Sequence, residues 1–245
     1  MKLNFPGEST EYRAARAKLL DLEIALRRQA EALAAARRAL PPGGLVPQDY
    51  VFDAIGADGT PGKVKLSELL SDGKDSLVVY NMMFPRHKSD DRSKAKTGPT
   101  ADLPREEGPC PSCVALLDQL DGVVPHVEQT LNFVVVAKAP IDRLTAFAKH
   151  RGWKHLRLLS SASNSFKNDY GAEDSDGQQQ LMCNVFHRTL DGIRHFWSSE
   201  MLYAPSDPGQ DPRHMGTLEP LWAMMDLTRE GRRAWQEQLQ YDCCH

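Results

Sequence analysis

Two nearly uninterrupted apolar runs set the strongest limit on how this chain can fold. Residues 76–84, SLVVYNMMF, and residues 131–137, LNFVVVA, lack the alternation of a strand with one wet face. Such runs suit strands covered on both faces by other layers. Between them, PSCVALLDQLDGVV places Cys113, Leu116, Leu117, Leu120 and Val124 on one stripe at helical spacing. A strand–helix–strand unit is therefore expected at the centre of the chain.

The flanking segments extend that unit. Residues 141–150 read as a helix and 156–159 as a third strand. Residues 181–187 and 193–197 flank the turn Leu190-Asp191-Gly192 as a hairpin, and a helical stretch is expected from about Gly231. Upstream, the short β-like runs 50–52 and 63–66 lie on either side of Gly56-Ala-Asp-Gly59 and lead into a short helix at 67–70, which predicts an N-terminal β-hairpin. The polar segment 85–109 is long for a structureless loop and is expected to be a mobile segment or a lid.

Residues 9–40 read as one long helix, capped by Ser9, with Glu11 in its first turn and Pro41-Pro42-Gly43-Gly44 as its stop. Leu19, Leu22, Leu26, Leu33 and Leu40 follow a near-heptad line. At 1.5 Å per residue the helix spans roughly 45 Å, more than a compact domain of this size readily covers. It either lies along its own domain or reaches a second subunit to form a homodimer. The expected organisation is an N-terminal helical extension, residues 1–44, and a main domain, residues 45–245.

The chemistry concentrates in Gly108-Pro109-Cys110-Pro111-Ser112-Cys113. Cys110 falls at the N-cap and Pro111 at the first helical position, where a missing N–H costs nothing. The free N–H groups and positive dipole end of the first turn favour a thiolate, lowering the pKa of Cys110 from a free value of about 8.5. Cys110 is expected to be accessible and Cys113, on the apolar stripe, sheltered. An exposed nucleophile beside a resolving thiol is what thiol–disulfide exchange requires.

The order strand, dithiol helix, strand, helix, strand, hairpin matches a thioredoxin-like three-layer α/β fold, here with the added N-terminal hairpin and long helix. From about residue 70 onward the chain also resembles a bacterial thioredoxin-like family of predicted dithiol-disulfide oxidoreductases. The resemblance is carried by PCPSCVALLDQLDGVVPH, VVVAKAPIDRLTAFAKHRGW, LLSSASNSFKNDYG, NVFHRTLDGIRHFW, LYAPSDPGQDPRH and LWAMMDLTREGR. It implies dithiol chemistry at Cys110 and Cys113, without fixing the substrate. The exchange reaction itself requires no bound cofactor, and its partner would be a protein or small-molecule disulfide. Electrons would come from another dithiol protein or glutathione.

Two departures narrow this expectation. The proline that precedes the strand facing the dithiol in thioredoxins is missing from Gln179-Gln180-Leu181-Met182-Cys183, which points to a narrower substrate than a general reductase takes. The PxxxTxxC pattern of peroxiredoxins is also missing: Leu103 and Glu107 stand where its proline and threonine would, and a carboxylate at 107 would oppose a thiolate. A peroxiredoxin-like thiol peroxidase is the alternative enzyme.

A CxxC can equally be half of a zinc or copper site. The further ligands would be Cys183, His187 or Cys243-Cys244-His245, although Cys183 and His187 are about 13 Å apart along a strand. Cys183 is otherwise expected near Cys110 or as a small core residue. His126, His187 and His195 read as capping, packed or exposed residues. Residues 164–170, NSFKNDY, read as a binding edge or a short helix, and Phe196, Trp197 and Tyr203, near Pro205 and Pro208, as core or groove.

Composition favours neither nucleic acid nor a membrane as partner. With 30 basic and 33 acidic residues the net charge is −3, so no basic field draws nucleic acid or an anionic membrane. No segment has the roughly 20 apolar residues of a membrane span, and the N-terminus lacks the apolar core of a signal peptide. Five cysteines in 245 residues form no disulfide framework. A cytoplasmic protein is expected.

Overall fold

The structure, a computed structural model, describes residues 3–241 apart from 4, 57, 72, 209, 211–217 and 233. It divides into two compact units, Met1–Gly43 and Gly44–His245.

The first unit is built on helix α1, Thr10–Arg38. Ser9 caps it as expected, its hydroxyl accepting the N–H of Tyr12 at 3.1 Å. No residue of α1 is buried, and Leu22 and Leu26 are 68% and 67% exposed.

The second unit holds one seven-stranded mixed sheet. Its strands are β1 (Val51–Ile55), β2 (Pro61–Lys65), β3 (Ser76–Asn81), β4 (Asn132–Ala137), β5 (Leu158–Ser160), β6 (Met182–Thr189) and β7 (Gly192–Ser198). They lie in the order β2-β1-β5-β4-β3-β6-β7. The three central strands β5, β4 and β3 are mutually parallel; β1 and β6 pair antiparallel on either side of them, and the hairpins β1–β2 and β6–β7 form the two edges. This is the thioredoxin-like arrangement with the added N-terminal hairpin.

Alternate side chains of the apolar strands serve two cores, as the pleat requires. Tyr80, Met82, Val135 and Ala137 face helices α2 (Pro111–Leu120) and α4 (Ile141–Arg151), meeting Leu116, Leu117, Leu144 and Phe147. Leu77, Val79, Val134 and Val136 face the opposite way, against Phe52, the 3₁₀ turn Leu66–Leu69 and Phe166 of the one-turn helix α5 (Phe166–Asp169). The one-turn helix α3, Val124–Val127, follows α2.

One expectation is corrected among the segments that flank the sheet. Residues 85–109 form a loop whose two ends are tied together. The Cys110 N–H donates to Met83 O at 3.0 Å, and the Arg86 N–H donates to Gly108 O at 2.8 Å. Among the described residues no helix begins near Gly231, and the last helix is α6, Pro220–Asp226, opened by a proline at its first position. Residues 234–241 form instead a non-helical strap held by distant partners. The Arg151 guanidinium donates to Leu239 O at 2.9 Å, and Gln240 Oε1 accepts the Lys96 N–H at 2.7 Å. Among the described residues, no helix is long and apolar enough to cross a membrane.

Candidate functional site: a buried dithiol at the start of α2

The parallel pair β3 and β4 directs the chain so that the start of α2 stands beyond the C-terminal end of β3, where open α/β sheets gather their ligands. Cys110 is the N-cap residue with extended backbone, and Pro111 occupies the first turn. Two main-chain bonds seat the pair against the end of β3. Met83 accepts the Cys110 N–H through its carbonyl, and its own N–H donates to Cys113 Sγ at 3.4 Å.

The two thiols differ in kind. Cys110 is lowered to about 7, first by the hydrogen bond from the Cys113 thiol, against the opposing push of burial, and then by the Cys113 N–H and the charge of Arg92. Cys113 moves the other way. Burial and the neighbouring Cys110 push it well above the usual thiol range, while the Tyr80 hydroxyl and the Met83 N–H act against that push.

Cys110 is not accessible in the manner expected, being only 2% exposed. Groups far away in sequence cover it. The Arg92 guanidinium lies 3.6 Å from Cys110 Sγ, gripped by Asp90 through bonds of 2.9 and 2.8 Å. Arg92 also reaches Ser112 Oγ at 2.8 Å and the Glu237 carboxylate at 3.2 Å, and Ser112 donates to that carboxylate at 3.1 Å. The strap is thereby locked onto the dithiol turn. Cys110 still lines a cleft of about 1390 Å³, whose walls include Leu181, Tyr203, Trp222 and Trp235.

Glu107 is not the carboxylate that faces the thiol. It pairs with Arg143 at 3.6 Å and is mostly exposed, while Asp90 is the acidic group that disfavours the thiolate. Burial pushes Asp90 up, but the hydrogen bonds and charge of Arg92 and the charge of Arg86 hold it below its ordinary value.

Three buried polar groups escaped the sequence reading. Tyr80 lies in the apolar run of β3 with its hydroxyl at Cys113. Lys167, in α5, is 1% exposed and donates from Nζ to Met82 O at 2.8 Å; burial depresses it to about 7. Glu219 accepts from the Trp222 indole at 3.0 Å, and burial, with Glu237 nearby, pushes it up to about 8. Within the segment 164–170, Phe166–Asp169 form the one-turn helix α5, and its lysine is buried.

The remaining candidates are placed more plainly. Cys183 pairs with Tyr80 across β6 and β3, is buried in the same core as the dithiol, and is pushed up to about 12 by burial. His126 is exposed, His187 meets Ser76 Oγ at 3.3 Å, and His195 packs against Tyr170 and Phe186. Trp197 packs on the dithiol core, whereas Tyr203 and Pro205 line the cleft. Among the described residues no cluster of three or more His, Cys, Asp or Glu side chains is arranged to hold a metal ion. Cys243, Cys244 and His245 lie outside the described residues.

Fold and site together define a thioredoxin-like α/β protein with a buried CPSC pair at a helix start. The chain belongs to the family described as bacterial protein of unknown function (DUF899), whose model matches residues 2–242. No curated protein matches it. Among solved structures it is similar to the reduced 2-Cys peroxiredoxin of Plasmodium vivax, with 18% identity, 62% of this chain and 81% of that chain covered, and a TM-score of 0.40. It is also similar to peroxidoxin BcpB of Mycobacterium tuberculosis, with 16% identity, 65% and 84% covered, and a TM-score of 0.39. Peroxiredoxin Q of Xanthomonas campestris matches with 13% identity, 64% and 84% covered, and a TM-score of 0.41.

Proposed function

We propose that this protein is a thiol–disulfide oxidoreductase in which Cys110 is the nucleophile and Cys113 the resolving thiol. The observation that carries the reading is the placement of the two thiols: Cys110 at the N-cap of α2 with Arg92 at 3.6 Å from its sulfur, and Cys113 one turn on, both hydrogen-bonded to Met83. The Cys110 thiolate attacks one sulfur of a substrate disulfide and expels the other as a thiolate. Cys113 then attacks Cys110 Sγ, forming the Cys110–Cys113 disulfide and releasing the second half of the substrate. A dithiol protein or glutathione in the cytoplasm returns the two electrons. The position of Cys110 on the wall of a cleft, only 2% exposed, favours a small or extended disulfide over a broad protein surface.

The test is capture on Cys113→Ser. Incubation with cell extract is expected to leave a partner joined to Cys110 by a bond that dithiothreitol breaks, and Cys110→Ser is expected to capture none. If the trapped form is instead a Cys110 sulfenate produced by stoichiometric peroxide, the peroxidase alternative replaces this reading. Stoichiometric zinc or copper that is lost on Cys113→Ala would replace it with metal binding.

We also propose that α1 mediates a homodimer, on the strength of its exposed leucine line. The full chain is expected to have a dimer's mass in solution and a chain lacking residues 1–40 a monomer's. An unchanged mass removes the helix from any interface.

A further inference from the structure

Cys113 poses a difficulty for its own role. It is fully buried and strongly favours the protonated state, yet it must ionise to attack the mixed disulfide. The group best placed to help is the other buried charge of this face. Lys167 Nζ donates to the carbonyl of Met82, and the N–H of the same peptide group, belonging to Met83, donates to Cys113 Sγ. One peptide group thus links the ammonium to the sulfur. A cation at the oxygen end of an amide makes its N–H a stronger donor, and low surrounding polarity magnifies the effect.

We propose that Lys167 is a positioning residue for the resolving step: its buried ammonium polarises the Met82–Met83 peptide and so stabilises the Cys113 thiolate as it attacks Cys110. This rests on the exchange reaction proposed above. Lys167 neither gains nor loses atoms in it. The proton that Cys113 gives up ends on one of the two departing thiolates, and the electron pair of Cys113 forms the new S–S bond.

The surroundings support the assignment. Among the described residues, Met82 O is the one hydrogen-bond partner of a group with three donors, and an unpaired buried ammonium is costly. Glu173 is near enough to be felt, but it is engaged in an ion pair with Lys138, whose own charge opposes that of Lys167. The remaining charged or titratable neighbour of Lys167 is Cys113, and Cys113 in turn faces Cys110 and Tyr80. Ionised Cys113 favours the ammonium and the ammonium favours ionised Cys113, so the two titrate as a coupled pair.

The test uses the full reduced chain carrying Cys243→Ser and Cys244→Ser, with Cys183 buried, and 5,5′-dithiobis(2-nitrobenzoate), which releases one coloured thiolate when Cys110 attacks and a second when Cys113 resolves. In Lys167→Met and in Lys167→Gln, which keeps a donor for Met82 O without the charge, the first release is expected to stay within about twofold of wild type. The second is expected to slow by about tenfold at neutral pH, its pH midpoint rising by about one unit. Equal slowing of both releases, or a slower second release with an unmoved midpoint, assigns Lys167 a merely structural role. Absence of any first release from Cys110 overturns the exchange reaction itself.

The wild-type chain supplies an independent measurement. Nitrogen NMR of Lys167 is expected to show different titration in the dithiol and disulfide forms, and identical titrations overturn the proposal even if neither variant folds.

Discussion

Replacing Cys113 by alanine is expected to raise the titration midpoint of Cys110 from about 7 to the free-thiol value of about 8.5 or above, whereas replacing it by serine leaves the midpoint nearly in place. The hydrogen bond from the Cys113 thiol is the largest influence on Cys110, and burial acts against it. A serine hydroxyl still donates; an alanine methyl does not. Arg92 cannot make up the loss, because Asp90 grips the same guanidinium and its carboxylate offsets much of the charge felt at the sulfur. The readout is thiolate absorbance in the ultraviolet as a function of pH. The alkylation rate at pH 7 is a blunter probe. The thiolate fraction falls from about one half to about 3%, but a more basic thiolate is intrinsically more nucleophilic and recovers part of that loss. Equal midpoints for the alanine and serine variants would sink the hydrogen-bond account and leave the helix terminus and Arg92 as the source of acidity. The same contrast explains why serine is the residue to use for trapping.

Sequence patterning succeeded here wherever the cause was local. The apolar runs at 76–84 and 131–137 became β3 and β4, the stripe through Cys113 and Leu117 became the buried face of α2, and Pro111 stands at the helix start. It failed where the cause was distant. Cys110 looked accessible because an N-cap is open to water in isolation. Arg92, 18 residues before it, and Glu237, 125 residues beyond Ser112, close over the turn. Helix α6 is only seven residues long, shorter than the window in which helical periodicity can be recognised. The strap that follows it is fixed by bonds to Lys96, Thr97 and Arg151, which no local propensity encodes. Lys167 shows a third kind of failure. Apolar periodicity treats a lysine as outward-facing, so a buried one is invisible until its neighbours are known.

The buried charges that shape the site also predict an unusual dependence of stability on pH. Glu219 titrates at about 8 in the folded chain against about 4.3 when unfolded. Over that window the folded state holds a proton that the unfolded state has released, so stability is fully present below about pH 4.3 and is lost as pH rises towards 8. Between pH 5 and 7 the fall is expected to reach on the order of 2 kcal/mol, with half-buried His195, whose pKa burial lowers, opposing it slightly. Lys167 has the opposite sign. Its folded value of about 7 lies below about 10.4 in the unfolded chain, so the stability it contributes is lost as pH falls through 7 and regained above it. Cys110 adds to that recovery up to about pH 8.5, beyond which Cys113 and Cys183, both raised by burial, reverse it. Urea unfolding under reducing conditions is therefore expected to show a stability minimum close to pH 7. Glu219→Gln should flatten the acid limb and Lys167→Met the alkaline limb. An acid limb unchanged in Glu219→Gln would show that this carboxyl is not the source. The minimum falls near the pH at which Cys110 is half ionised, because there the loss from Glu219 is balanced by the gains from Lys167 and Cys110.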